Sequence, residues 1–216
     1  MQNTEVARTP LEVARCPSDI APLQQNVGGA GTAGAIRDAG QATSSYVGSS
    51  GSYNGYAVGG DQNRRNGMFN RDSSIRIRDV IDGTSNTIVA GEVSWGDPQL
   101  TGRSTNQRWY GRQNNDVEPA NTQGLIRDGE NRMNPPAAAC PEGDNSNCAR
   151  AFHSFHEGGV HVLFGDGSVR FISENIQHTE FLWDANNPFD RTNNGARYGL
   201  WQRLHSRNDN LPIGEI

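Results

Sequence analysis

The sequence predicts an α+β protein, mostly β: a single domain over residues 1–216 with a small antiparallel sheet, long irregular loops and short helices. Three observations point there. The densest apolar stretch, 151–173, is interrupted by two turn signals, Gly158-Gly159 and Asp166-Gly167. Glycine is abundant, at 26 residues. Leu, Ile, Val and Phe together number only 39 of 216, while the net charge is just −5. So thin an apolar supply without high charge describes a small β core under polar loops, not a disordered chain.

Residues 151–173 are read as a three-stranded antiparallel meander. Asp-Gly between two apolar runs favours a two-residue turn, because both central positions need positive φ. That loop sets Phe164 opposite Val169, Leu163 opposite Arg170 and Val162 opposite Phe171. Val160, Val162, Phe164, Val169 and Phe171 then share the core face. Gly158 and Gly159 form the second turn and bring His156 opposite His161. Strand 160–164 separates His156 from Asp166 by roughly 16 Å at about 3.3 Å per residue, so these two cannot share a metal or a proton.

The other elements follow in chain order. Val6 to Val13 suits a turn or two of helix, and Cys16-Pro-Ser-Asp19 reads as a turn. Residues 26–67 form a loop insertion rich in Gly, Ala, Ser and Asn, with short strands at Tyr46-Val47 and 53–58. Ile75, Ile77, Val80 and Ile81 approach a helical or bent-strand pattern. Asp82-Gly83 ends it, Asp82, Thr84, Ser85 and Asn86 are turn formers, and Thr87–Val93 is a strand. Residues 94–150 are a second loop insertion with Trp95, Trp109 and Tyr110 as anchors. A short helix is expected at Ser173–His178, capped by Ser173, with Phe181, Leu182 and Trp183 packing after it. Leu200, Trp201 and Leu204 define one face of a helix within 197–205. Leu211–Ile216 suggests an edge strand.

Composition excludes several functions. All 19 basic residues are arginine, scattered through an acidic chain, so no basic patch exists for nucleic acid. No window approaches 18 apolar residues, so no membrane span is expected, and residues 1–15 lack the apolar centre of an export signal. Gly-x-Ser-x-Gly is absent, Ser-x-x-Lys is ruled out without lysine, and Gly28-Gly-Ala-Gly31 lacks the lysine of a phosphate loop.

Candidate chemistry rests on few residues. His153, His156 and His161 could supply acid/base groups, with the alternative that they bond loop carbonyls and lock loops onto the sheet. His153 and His156, three apart in an extended segment, face opposite sides, and there is no Cys-x-x-Cys, which argues against zinc. Cys140 and Cys148 close a short polar loop, which favours a disulfide and an oxidising compartment over two free thiols; Cys16 is left over. Oxygen donors for calcium come from Asp82, Asn86 and Glu92 in one block and from Asp144, Asn145 and Asn147 in the cysteine loop. Asp166, Gly167, Gly158 and Gly159 are structural turn residues.

Ser154-Phe-His156-Glu-Gly-Gly-Val-His-Val-Leu-Phe-Gly-Asp166-Gly167, with nine residues between His156 and Asp166, resembles the C-terminal signature of planctomycete-type prepilin, type II secretion G-like pseudopilins. Asp82-Gly-Thr-Ser-Asn-Thr-Ile-Val-Ala-Gly-Glu92 looks like that family's second block and Cys16-Pro-Ser-Asp19 like a third, in the family's order. The resemblance implies a pilin-like fold, here without the N-terminal helix, in a secreted or cell-surface structural or interaction module. It also implies calcium as a stabilising ion, partners among pilin-like or secretion-system proteins, and an extracellular or cell-envelope location. Two alternatives stay open: a calcium-dependent hydrolase of a small ester or lactone using the histidines, and a carbohydrate- or matrix-binding module using Trp95, Trp109 and Tyr110.

Overall fold

A computed structural model describes residues 5–6, 8–25, 41–53, 62–70, 73–95, 125–136, 150–180, 183–190, 193–214 and 216. Its strands are β1 (Gln24–Gln25), β2 (Gln41–Ala42), β3 (Tyr46–Ser49), β4 (Ile88–Glu92), β5 (Ile126–Arg127), β6 (Gly159–Phe164) and β7 (Val169–Ser173). A short helix, α1, spans Leu200–His205. β1 and β2 form a separate antiparallel ribbon, and the others make a five-stranded sheet in the order β5-β3-β4-β6-β7. This is the mostly β, α+β architecture expected. The sheet is mixed, however, because β5 runs parallel to β3.

The core lies between one face of this sheet and α1. Ile88, Val160, Val162, Phe164 and Ile172 project from the strands onto Phe152, Met133, Trp201 and Leu204. Trp201 and Leu204 are fully buried on the helical face that their spacing foretold. Phe152 lies across β4 at Gly91, where a Cβ would come within 2.7 Å of its ring, so glycine is needed for this close approach. A smaller cluster gathers Tyr53, Tyr198 and Leu211 with Trp183 packed beside it.

The β6–β7 hairpin forms, but one residue out of the expected register. Leu163 pairs with Val169, Val162 with Arg170, His161 with Phe171 and Val160 with Ile172. The loop has three residues, not two. Gly167 N–H donates to Phe164 O at 3.0 Å, Phe164 N–H donates to Ser168 O at 2.9 Å, and Gly167 alone adopts positive φ, +86°. This is the bulged three-residue hairpin. Asp166 stays out of the left-handed region because its carboxylate accepts the Ser168 N–H (2.8 Å) and hydroxyl (2.7 Å). The turn is also clamped to Thr84–Asn86, with Asp166 N–H donating to Thr84 O and Gly165 N–H to Thr87 O. A one-residue slip exchanges the faces of β7. Ile172 therefore takes the core position, while Val169 (64% exposed) and Phe171 (46%) face outward.

Other expectations need correction. Residues 151–158 form no strand; β6 instead pairs with β4, so the meander over 151–173 reduces to a hairpin beside β4. Gly158 still turns, at φ +82°. Residues 174–176 make a turn and not the helix proposed for Ser173–His178, since Ser173 O and Oγ capture the N–H groups of Ile176 and Asn175. Residues 211–214 add no strand. Most of the 53–58 strand lies outside the described residues, as do Phe181 and Leu182.

Candidate functional site

Glu92 closes β4 and sits directly opposite Tyr46, the first residue of β3. On its other side the next rung is His161 of β6, whose backbone N–H donates to Glu92 Oε2 at 2.7 Å. The His161 ring turns toward the same oxygen, with Nδ1 at 3.3 Å, and its far edge meets Phe171 at a centroid distance of 5.1 Å. The Glu92 side chain is only 4% exposed, so an ionised carboxylate there needs donors around it.

His156 approaches the other carboxylate oxygen. Its Nε2 stands 3.1 Å from Glu92 Oε1, and the two imidazoles lie 4.8 Å apart at 85°. A tight loop holds it there. The Ser154 hydroxyl donates to Gly159 O (2.7 Å) and accepts the His156 N–H (3.1 Å), while Asn134 Oδ1 accepts the Ser154 N–H. Ser154 thus fixes the angle at which the chain leaves the core before Gly158 reverses it.

The third segment arrives from the N-terminal side. Asp19 N–H donates to Cys16 O, closing the turn the sequence suggested. Asp19 then pins this turn to the sheet: its carboxylate accepts the Ala21 and Trp95 N–H groups and the Ser45 hydroxyl. Arg15 adds bonds to Thr43 Oγ1 and to the carbonyls of Pro22 and Ala21. The result is a buried Cys16 whose Sγ lies 3.5 Å from His156 Nε2 and 3.0 Å from Ser18 Oγ. Burial, with the fields of Cys16, Glu92 and Asp19, raises the Tyr46 phenol above its ordinary value.

Each of the three recognisable sequence blocks therefore gives one side chain to a single corner: Cys16, Glu92 and His156. Their ligand-type atoms all lie within 4.8 Å of one another, the one such trio among the described residues. Cys16 had been left over in the sequence, because no local spacing connects it to residues 92 and 156. The signal available was only that each block includes thiol, carboxylate or imidazole groups.

The remaining candidates go elsewhere. His153 is fully buried on the other side of its segment, and its Nδ1 accepts both the N–H and the hydroxyl of Ser94. Burial holds its pKa down to about 3, so it is neutral and outside the cluster. His205 behaves alike: Ser49 Oγ lies 2.7 Å from its Nδ1, Phe152 stacks on it, and burial brings it to about 3. Asp82 does not join Glu92, since the strand Ile88–Glu92 lies between them. Its carboxylate accepts the N–H groups of Asp209 and Asn210, both at 2.8 Å, and Asn86 Nδ2 bonds its backbone carbonyl. Asp166 serves the hairpin turn, with Arg170 3.8 Å away, and has no contact with His156. Trp95 is half-buried. Cys140, Cys148, Asp144, Asn145, Asn147, Trp109 and Tyr110 lie outside the described residues.

No helix among the described residues is long and apolar enough to cross a membrane. No curated protein and no solved structure is significantly similar to the chain. A family model described as a protein of unknown function, DUF1559, matches residues 1–179. That span holds every residue of the corner just described, and the chain belongs to this DUF1559 family.

Proposed function

We propose that this chain is a pseudopilin-like structural or interaction module of the cell envelope, in which the corner around Glu92 locks the N-terminal segment and the 154–159 loop onto the sheet. The observation that carries the reading is the convergence on one buried carboxylate of His156 Nε2 from the 154–159 loop and of the His161 N–H and Nδ1 from β6. A polar chain with a small apolar core gains fixed geometry this way, because charge-assisted bonds are about twice as strong as neutral ones. The partner class is other pilin-like or secretion-system proteins, by family resemblance. Calcium in this reading falls to the 140–148 loop, because the Asp82 carboxylate accepts two backbone N–H groups and Glu92 Oε2 accepts the His161 N–H.

Fractionating the source cells with an antibody to the chain tests the location. Recovery in the envelope or extracellular fraction is expected, and recovery confined to the cytosol removes the proposal. His156→Gln tests the locking role, through a lower melting temperature with unchanged secondary structure.

A second reading, hydrolysis of a small ester or lactone, draws on the same histidine–carboxylate contacts, with His156 or His161 as base. Turnover of a nitrophenyl ester that vanishes in a stably folded His156→Gln variant would favour it over the structural role.

A further inference from the structure

We infer that Cys16 Sγ, His156 Nε2 and Glu92 Oε1 form a binding site for one divalent transition metal ion of the zinc type. The contacts around His156 Nε2 point there. One ring nitrogen has a single proton or lone pair to offer, yet two atoms converge on it: a carboxylate oxygen at 3.1 Å and a thiol sulfur at 3.5 Å. A direct hydrogen bond serves one of them; a cation between the three serves all.

The spacing agrees. Tetrahedral zinc holds sulfur at about 2.3 Å, nitrogen at about 2.0–2.1 Å and carboxylate oxygen at about 2.0–2.2 Å, which places neighbouring ligands about 3.3–3.6 Å apart. The two separations at His156 Nε2 match, 3.1 Å to Glu92 Oε1 and 3.5 Å to Cys16 Sγ, and no pair in the trio lies more than 4.8 Å apart. Its donors, one thiolate, one imidazole and one carboxylate, suit zinc, cobalt or iron and not calcium, which takes six to eight oxygens.

The surroundings match such a centre. Glu92 Oε2 is fixed by the His161 N–H and faces its ring, leaving Oε1 turned toward His156. Ser154 sets the backbone of His156, and Asp19 sets the turn that carries Cys16. Partners of this kind orient ligands and raise affinity. Three protein ligands leave a fourth position for water or Ser18, whose hydroxyl is 3.0 Å from the sulfur. Binding releases the Cys16 thiol proton to solvent and takes His156 in the tautomer protonated at Nδ1, so that the Nε2 lone pair faces the ion. The site stands independently of the envelope location proposed above.

The test is cobalt(II) titration of the full chain after chelator treatment, followed by zinc competition. Expected are one ion per chain, a thiolate-to-cobalt charge-transfer band and the intense visible bands of a tetrahedral centre. Cys16→Ser should abolish the charge-transfer band, whereas Cys140→Ser/Cys148→Ser should keep it. His156→Gln and Glu92→Gln should each weaken binding, and His161→Gln, acting through Glu92, by roughly tenfold to a hundredfold. Circular dichroism checks that each variant is folded; should Glu92→Gln unfold, the half-exposed His156 carries the comparison. A wild-type chain without the band, a band retained in Cys16→Ser, or unchanged affinity in folded His156→Gln overturns the proposal.

Discussion

Glu92 and His161 meet twice across neighbouring strands, through a backbone N–H at 2.7 Å and a ring nitrogen at 3.3 Å, both directed at the same carboxylate oxygen. The backbone contact survives any substitution at residue 161 except proline, so Glu92 is the member whose loss matters most. Glu92→Ala leaves the His161 N–H without its acceptor in a buried setting, and a destabilisation of about 1–3 kcal/mol is expected from urea unfolding. His161→Gln, on a side chain 41% exposed, should cost less than Glu92→Ala. Equal losses from the two would contradict this ranking.

The hairpin register separates two residues of one strand. Ile172→Ala should destabilise by about 2–4 kcal/mol, as large-to-small changes in a closed core do. Val169→Ser, on the outward face, should stay within about 0.5 kcal/mol. Denaturant midpoints measure both, and the reverse order would restore the two-residue turn.

Stability should respond to pH through buried groups of opposite sign. His153 and His205 stand near 3 in the fold against 6.5 unfolded, so their contribution is complete above 6.5 and lost as pH falls toward 3. Asp128, pushed up to about 7 by burial and the nearby Glu130 charge, contributes fully below 3.8 and loses that contribution as pH rises through 7. Asp209 is raised in the same direction, by burial first and then by Asp82. The two pairs oppose one another between about pH 4 and 6.5, and only the histidine term acts below that window. Unfolding free energies measured across pH 3–8 should therefore be nearly level in the middle and drop steeply at the acid end. His205→Gln should tilt the middle so that stability declines with rising pH.

Asp209 offers a stabilising change. Its Oδ1 accepts the Leu211 N–H, and the buried carboxylate lies beside that of Asp82; burial and then the Asp82 charge push it up to about 7. Asp209→Asn keeps the acceptor, adds a donor toward Asp82 and removes the like charge. Its melting temperature should exceed wild type at pH 8 and approach it at pH 4. A lower value at pH 8 would show that the Asp209 charge is tolerated.

What could be read from the sequence was what neighbouring residues decide. The Asp166-Gly167 hairpin, the Cys16–Asp19 turn, the strand expected over Thr87–Val93 and found at Ile88–Glu92, and the Trp201–Leu204 face all follow from local spacing. The register of β7 did not, because it depends on Thr84 and Thr87 gripping the turn from another part of the chain. The pairing of β6 with β4, and of β3 with β5 in parallel, likewise comes from tertiary contacts that no short window contains. The cluster was half visible: His156 and His161 were expected to face each other, and do so at 4.8 Å. Cys16 was out of reach, since it meets His156 across 140 positions.

That separation bears on how the molecule assembles. Joining residues 16, 92 and 156 requires long loops to close, one of them across 140 positions, before any contact compensates the lost chain entropy. Hairpin and helix can form early from local pairs; the thiol–imidazole–carboxylate junction has to wait for both. Chains arrested before it would leave open to solvent the Cys16 sulfhydryl that the finished fold buries.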